Sequence, residues 1–328
     1  MSEEKRMTAC EAVRQHIATP IPNTLWHYTS YGAFEKILTS KSMWASDYRF
    51  LNDREEFRHC KKIALELAQN EPEFIQDQLP ARDFLIKALN IAFNTGPLEE
   101  SRLRIMVASF TEHGDQLSQW RGYAGLSTGV SIGLDLRALR PPANVDTHVV
   151  FAPCVYRPEE KRALLSAIFA NFYASLSSYW SGVVAEAKRQ TGLSPEALQQ
   201  LIMSHNKELG DIVLQSHVHL QSDLLRIAPL MKDESFHEER EWRLVLPSEM
   251  IRIPMQHKIE FRAVRDALVP YIAYPLLLPG QEGPILCTDL ILGPGSHPNA
   301  EVGVNLLFTS QMIPTRGRPS AVPYRPSM

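Results

Sequence analysis

Two glutamates one residue apart, Glu239 and Glu241, with Trp242 and Arg243 behind them, have the spacing most suggestive of chemistry. Residues 243–246, ahead of Pro247, read as a short β-strand, apolar at its downstream end and closed by a proline. On a strand extended upstream, Glu239 and Glu241 project from one face with Cβ atoms roughly 6.5–7 Å apart. Like charges that close raise at least one pKa, and carboxylates on one surface can divide acid, base and electrostatic roles. The plainer alternative is a solvated strand edge on which Arg240 and Arg243 neutralise the acids.

Two more groups of residues could share a site with that pair. In His27-Tyr28-Thr29-Ser30 a strand end runs into a helix. A histidine there can donate to a ribose hydroxyl or an amide oxygen, and a nearby helix N-terminus favours an anionic phosphate. Ser109-Phe110-Thr111 ends another strand in hydroxyls, and Trp120 and Tyr123 follow on a short helix, where aromatic rings could stack on a flat heterocycle. Core packing competes with each assignment. Familiar alternatives are missing: there is no GxGxxG, GxxxxGK[ST], GxSxG or HExxH. His217 and His219 diverge if helical, and residues 293–296 read as a turn after a strand. A strand-end histidine, hydroxyls with aromatics, and paired glutamates describe a pocket for a ribosylated heterocycle better than a hydrolase triad.

The elements that must position these groups are legible from patterning. Residues 10–16 suggest a short helix stopped by Pro20 and Pro22, and residues 24–29 a strand. Ser30 can cap a helix over 31–39, with Ala33, Phe34, Ile37 and Leu38 inward. Residues 43–46 read as a strand, and Asn52 or Asp53 as the cap of an amphipathic helix reaching about 69, with Phe57, Cys60, Ile63, Ala64 and Leu67 on one face. A helix over 81–93 and strands at 104–110, 129–135, 149–151 and 154–156 follow, with Asp115 expected to cap a helix over 116–123. Residues 158–232 change character, with long helical runs opened at Pro158 and Pro195. After them come the Glu241 strand, a strand candidate at 251–259, a helix near 261–268 and a strand at 289–293. The Pro- and Arg-rich tail, about 314–328, reads as extended or partly disordered.

Composition sets the class. The 328 residues are 44% hydrophobic, 22% charged and 9% aromatic, with net charge −3, enough for a sizeable core and no global reason to bind nucleic acid or membrane. Cys10, Cys60, Cys154 and Cys287 are isolated, which argues against a zinc ribbon or disulfide framework and suits a reducing compartment. No signal-peptide core or membrane-spanning run is present in the sequence, so a cytoplasmic protein is expected.

Several blocks together resemble the DUF2971 family: Leu25-Trp26-His27-Tyr28-Thr29-Ser30, Ile37-Leu38, Leu51-Asn52-Asp53, Ser109-Phe110-Thr111 with Trp120, Gly129-Val130, Glu239-Arg240-Glu241-Trp242-Arg243 and Ile291-Leu292-Gly293-Pro294. They are scattered over most of residues 24–328, outside the helical insertion. The first block is also similar to the opening of DarT-like and other ADP-ribosyltransferase folds, which carry a strand-borne histidine and a catalytic glutamate on a late strand, often in an ExE motif. That resemblance implies an α+β fold, a single ADP-ribosyltransferase-like domain over 1–328. Its core would be two small sheets around a cleft, interrupted by a helical insertion at about 158–232. It implies NAD as co-substrate, no metal, a macromolecular acceptor (protein or nucleic acid), and a toxin-like or anti-phage role. On the resemblance Glu241 is catalytic and Glu239 positions or deprotonates the acceptor. His27, Tyr28, Thr29, Ser109, Thr111, Trp120 and Tyr123 line the NAD site, with the middle aromatic position shared among Tyr48, Trp120 and Tyr123. Two other classes remain open: a glycosidase or nucleosidase using Glu239 and Glu241, and a non-catalytic module sensing a nucleotide or phage component.

Overall fold

The structure, a computed structural model, describes residues 10–51, 56–70, 79–94, 98–99, 105–124, 128–139, 149–189, 206–247, 258–264, 267–277 and 280–323. The expected cap at Asn52 or Asp53, the helix opening at Pro195 and most of the strand candidate at 251–259 lie outside the described residues. The chain divides into two compact units. One takes Met1–His16, Glu55–Leu103 and Val155–Met231; the other takes Ile17–Arg54, Arg104–Cys154 and Lys232–Met328.

The first unit is helical. Its main helices are Glu56–Asn70, Leu79–Asn94, Pro158–Arg189 and Asn206–Ile227. Phe57, Cys60, Ile63, Ala64 and Leu67 are all buried, the single face that their 3–4 spacing dictates. Pro158 opens its helix at the position where its missing N–H costs nothing, and Leu165, Ile168, Phe169 and Phe172 pack inward. No described helix is long and apolar enough to cross a membrane.

The second unit holds the sheet and everything expected of the site. Its strands are β1 Leu25–Thr29, β2 Ser42–Asp47, β3 Ile105–Thr111, β4 Val130–Leu134, β5 Val150–Pro153, β6 Glu241–Pro247, β7 Ile259–Val264, β8 Ala267–Pro275, β9 Cys287–Leu292 and β10 Gly317–Pro319. The architecture is therefore α+β with one large mixed sheet. Instead of two small sheets, the described strands form one hydrogen-bonded network that forks at β3. Along one edge β3 pairs with β6 for its whole length, and β6 continues to β5. The other edge of β3 is shared: β1 pairs at Trp26↔Thr111, and β2 pairs at Ser46↔Val107 and Asp47↔Met106. From β1 an arm continues through β4 and β9 to β10, and from β2 another through β8 to β7. Ser109 falls between the two pairings, opposite neither strand.

Alternation on β1 sends Leu25 into one core and Trp26 and Tyr28 into another. On the Leu25 face lie helices Tyr31–Ser40 and Ala300–Ser310, joined by an edge-on contact of Phe34 and Phe308 at 5.8 Å. Ser30 caps the first of them through Ala33 N–H, as its position predicts. On the other face helix Leu117–Tyr123 sets Trp120 edge-on against Tyr28, 4.7 Å between centroids.

Two sequence expectations need correcting. Asp115 does not cap the 117–123 helix, whose N-cap is Gln116 without a side-chain bond. Its carboxylate instead accepts from Trp120 Nε1 at 2.7 Å, Ser320 Oγ and Ala321 N–H at 2.7 Å. The helix expected near 261–268 is the hairpin of β7 and β8, registered Phe261↔Pro270 through Val264↔Ala267. Phe261, Val264 and Leu268 mimic helical spacing, but pairing of β8 with β2 decides the matter. Within the Pro- and Arg-rich tail, Gly317–Pro319 is extended, adding the parallel strand beside β9.

Candidate functional site

The fork supplies an interruption in a sheet that is otherwise paired. Ser109 O, left without a strand partner on that edge, lies 2.9 Å from His27 Nδ1. A carbonyl only accepts, so Nδ1 carries the hydrogen and Nε2 keeps its lone pair. Burial holds the imidazole below its ordinary pKa despite the favourable carbonyl, with the charge of Arg262 adding slightly. His27 is therefore a neutral acceptor, fixed in tautomer by the backbone of β3, and its ring leans on Phe110 at 5.8 Å.

Glu239 and Glu241 converge, but not by sharing a strand. Residues Glu234–Glu239 form a 3-10 turn capped by Asp233, and Arg240 follows in the left-handed region, φ 43° and ψ 48°. Only Glu241 lies on β6, opposite Thr111. The turn brings both carboxylates onto Lys232, a residue sequence reasoning missed. Its ammonium donates to Glu239 Oε2 and, at 2.7 Å, to Glu241 Oε2. Arg243, two residues on and so on the same face of β6, donates Nε to Glu241 Oε1 at 2.8 Å and Nη2 to Oε2 at 3.0 Å. Glu241, Arg243 and Lys232 are all buried.

The solvated strand edge is thus excluded: this is an internal ion cluster of two acids and two bases. Burial pushes the Glu241 carboxyl upward, but Arg243 and Lys232 overcome it and hold the pKa down at about 2. Burial works against the Lys232 ammonium too, and Glu241, aided by Glu239, raises its pKa nonetheless. Phe236 covers the ammonium, its ring centroid 4.9 Å from Nζ. Glu239 is the less enclosed acid: it also accepts from Tyr123 Oη at 3.3 Å, and its own backbone carbonyl accepts from Thr111 Oγ1 at 2.6 Å.

A cavity of about 60 Å³ opens among these groups, lined by His27, Tyr28, Ser109, Thr111, Tyr123, Glu239 and Glu241 together with Trp26, Phe110 and Gln119. Seven of the nine residues expected at the site meet there. Thr29 and Trp120 do not. Thr29 is buried at the end of β1, and Trp120 is wholly enclosed in the core with its indole N–H spent on Asp115. Helix geometry accounts for the difference: Gln119 and Tyr123, four apart, share the face toward the cavity, and Trp120 points about 100° away. That spacing was a usable signal for Gln119. Lys232 left a weaker one, a lone cation directly after the apolar run Ala228 to Met231. Among the described residues no group of His, Cys, Asp and Glu is arranged to hold a metal ion.

The chemical capacity of the arrangement is specific. It offers one neutral acceptor nitrogen, two tyrosines, the hydroxyls of Ser109 and Thr111, the Gln119 amide and two carboxylates, of which Glu241 is held ionised by its basic neighbours, beside the aromatic carbon of Trp26 and Phe110. No curated protein and no solved structure matches the chain. The resemblance read from scattered sequence blocks is borne out over part of their span: residues 119–244, which run from the cavity-facing Gln119 through the ion cluster into β6, match the model of DUF2971, a protein family of unknown function.

Proposed function

We propose that this cavity cleaves the bond between nicotinamide and ribose in NAD, on an ADP-ribosyltransferase-like core, and passes ADP-ribose to a macromolecular acceptor or to water. The observation that carries the reading is the meeting of His27, the Ser109–Thr111 end of β3 and both glutamates around one small cavity. Cleavage of such a bond passes through an oxocarbenium-like ribose, which a fixed carboxylate in a dry site stabilises. Of the two carboxylates, Glu241, ionised above a pH of about 2, anchors Lys232, and Glu239 on the same ammonium is the one that meets the ribose. Nicotinamide leaves with the bonding pair, the acceptor oxygen or nitrogen bonds to the anomeric carbon, and its proton goes to Glu239. His27, as an acceptor, suits a ribose hydroxyl. A volume of about 60 Å³ admits only the reacting end of a dinucleotide.

One observation favours a second reading, a nucleotide-sensing module without turnover. Both oxygens of Glu241 are already engaged by Arg243 and Lys232, which offsets the charge that catalysis would use. Labelled NAD incubated with the full chain and cell lysate separates the two. The transferase reading expects nicotinamide release, label on protein or nucleic acid, and loss of both in Glu241→Gln with NAD binding retained. Binding without release in the unaltered protein would leave the sensor. Release that is undiminished in Glu241→Gln would remove Glu241 from the mechanism.

A further inference from the structure

The arm that leaves the fork through β2, β8 and β7 has a polar face the cavity does not use. Antiparallel register puts Ser46, Tyr271 and Glu260 in one cross-strand row on it, with Trp44 two residues before Ser46 and Arg262 two after Glu260. Arg262 reaches back over β8: its Nη2 donates to Ser46 Oγ at 3.1 Å, and its guanidinium carbon lies 5.5 Å from the centre of the Trp44 ring. Lys36, exposed on helix Tyr31–Ser40, brings a second cation to the same indole, 5.4 Å from its centre. Two cations thus meet at one aromatic ring. Among the described residues of β7, the acid on that face, Glu260, is taken by Tyr271 Oη at 2.6 Å. The Nε–H of Arg262 is buried and has no hydrogen-bond partner. An unpaired guanidinium donor in such a place is costly, and an anion resolves both the open donor and the doubled charge.

The face adjoins the fork at which His27 sits: Ser46, the acceptor of Arg262, pairs with Val107 on β3, two residues before Ser109, whose carbonyl holds His27. We propose that Arg262 and Lys36, held on Trp44, bind the diphosphate of a nucleotide whose sugar end enters the His27 cavity. The inference rests on the nucleotide reading above and supplies what the small cavity lacks, a place for the rest of the ligand. Arg262 turns its Nε–H outward and, with the Lys36 ammonium, donates to phosphate oxygens, and Trp44, covered by Tyr271 at 4.8 Å, sets their spacing instead of stacking on a base.

The test is calorimetric titration of the full chain with inorganic pyrophosphate and with ADP-ribose, for the wild type, Arg262→Gln and Lys36→Gln. Both probes are expected to bind the wild type, and each substitution to weaken both by roughly tenfold or more, the loss of one charge-assisted hydrogen bond. Pyrophosphate as tight as ADP-ribose would identify free diphosphate as sufficient; tighter ADP-ribose would identify the nucleotide. Either supports the site. No binding of either probe, or equal binding to all three proteins, overturns it. Lys36 is solvent-exposed on a helix, so its variant keeps the test decisive if Arg262→Gln does not fold. Nicotinamide release, measured separately, distinguishes the two failures. Release with a KM for NAD unchanged in both variants rejects the diphosphate site alone. Diphosphate binding that depends on Arg262 without release rejects the transferase alone.

Discussion

Replacing Lys232 with methionine keeps the length and apolar bulk of the side chain and removes the charge that both glutamates share. Because Glu239 and Glu241 accept from one Nζ, their nearest oxygens lie within roughly 5–6 Å of each other, two hydrogen-bond lengths. The variant leaves Glu241 with Arg243 and Glu239 with Tyr123. A Glu241 pKa of about 2 in place of the ordinary 4.5 corresponds to roughly 3 kcal/mol favouring the ionised form, from Arg243 and Lys232 together. Removing one member of a buried pair costs about 3–5 kcal/mol, because a charge is stranded. Part of that is recovered here because Arg243 remains. The expected loss is therefore about 3 kcal/mol at pH 7.5, or about 4 °C in melting temperature for a chain of this size.

The pH dependence has a definite sign. In the wild type the folded pKa of Glu241 is depressed, so its stabilisation is complete above about 4.5 and disappears as pH falls toward about 2. In Lys232→Met one of the two acids takes up a proton more readily, so the deficit against wild type should shrink between pH 7.5 and 5. Adding Glu239→Gln, which removes the newly unpaired charge, should restore about 1–2 kcal/mol. Melting curves by circular dichroism at both pH values measure all of this. A Lys232→Met protein within 2 °C of wild type at pH 7.5 would refute the reasoning, since it would mean that the cluster is hydrated enough to need no cation (roughly 1 kcal/mol or less).

Two other expectations test the supports of the cavity. Asp115→Ala strands the wholly buried Trp120 indole N–H and releases Ser320 and Ala321; a loss of roughly 3 kcal/mol is expected, with proteolytic cleavage near β10 becoming faster. His27 should show a protonated Nδ1 and a bare Nε2 by nitrogen NMR at pH 6. Its depressed folded pKa means that the unfolded chain takes the proton first, so stability should fall as pH drops below about 6.5, and less steeply in His27→Gln.

Much of the sheet unit was legible because local signals agreed with tertiary packing. Ser30 is a cap in sequence and in structure, and Phe34, Ile37 and Leu38 enter the core their spacing assigns them, while Ala33, expected on the same face, stays half-buried outside it. The β7–β8 hairpin was not, because Phe261, Val264 and Leu268 fit helical spacing, and only the partner strand β2, more than two hundred residues earlier, excludes a helix. The glutamate pair was legible as a pair and misread as to mechanism. A strand was expected to align the two acids; a left-handed Arg240 does it by breaking that strand. Nothing in the spacing of Lys232, seven and nine residues upstream, announces that a 3-10 turn will fold it between them. Trp120 shows the opposite failure: an aromatic beside a site residue in sequence turned away on the helix into the core.

The charge balance is what separates chemistry from scaffolding at this site. Two acids and two bases sum to zero, so at rest the cavity presents little net negative potential to an arriving cationic centre. Under the transferase reading, a positive charge developing on ribose must therefore find a carboxylate oxygen that the bases do not fully claim. Glu241, chelated by Arg243 and bonded to Lys232, is poorly placed to supply one. Glu239 is better placed, with one oxygen on Lys232 and the other held only by a 3.3 Å bond from Tyr123. Tyr123, unlike Glu241, is exposed. The physical expectation is that Glu241 fixes Lys232 and Lys232 fixes Glu239, so that a defect in Glu241→Gln would reach the reacting centre through the ammonium. Conservative rescue decides the point: Glu241→Asp, which keeps the charge on Lys232 but withdraws the carboxylate by one methylene, should retain more activity than Glu239→Asp if Glu239 is the group that touches substrate.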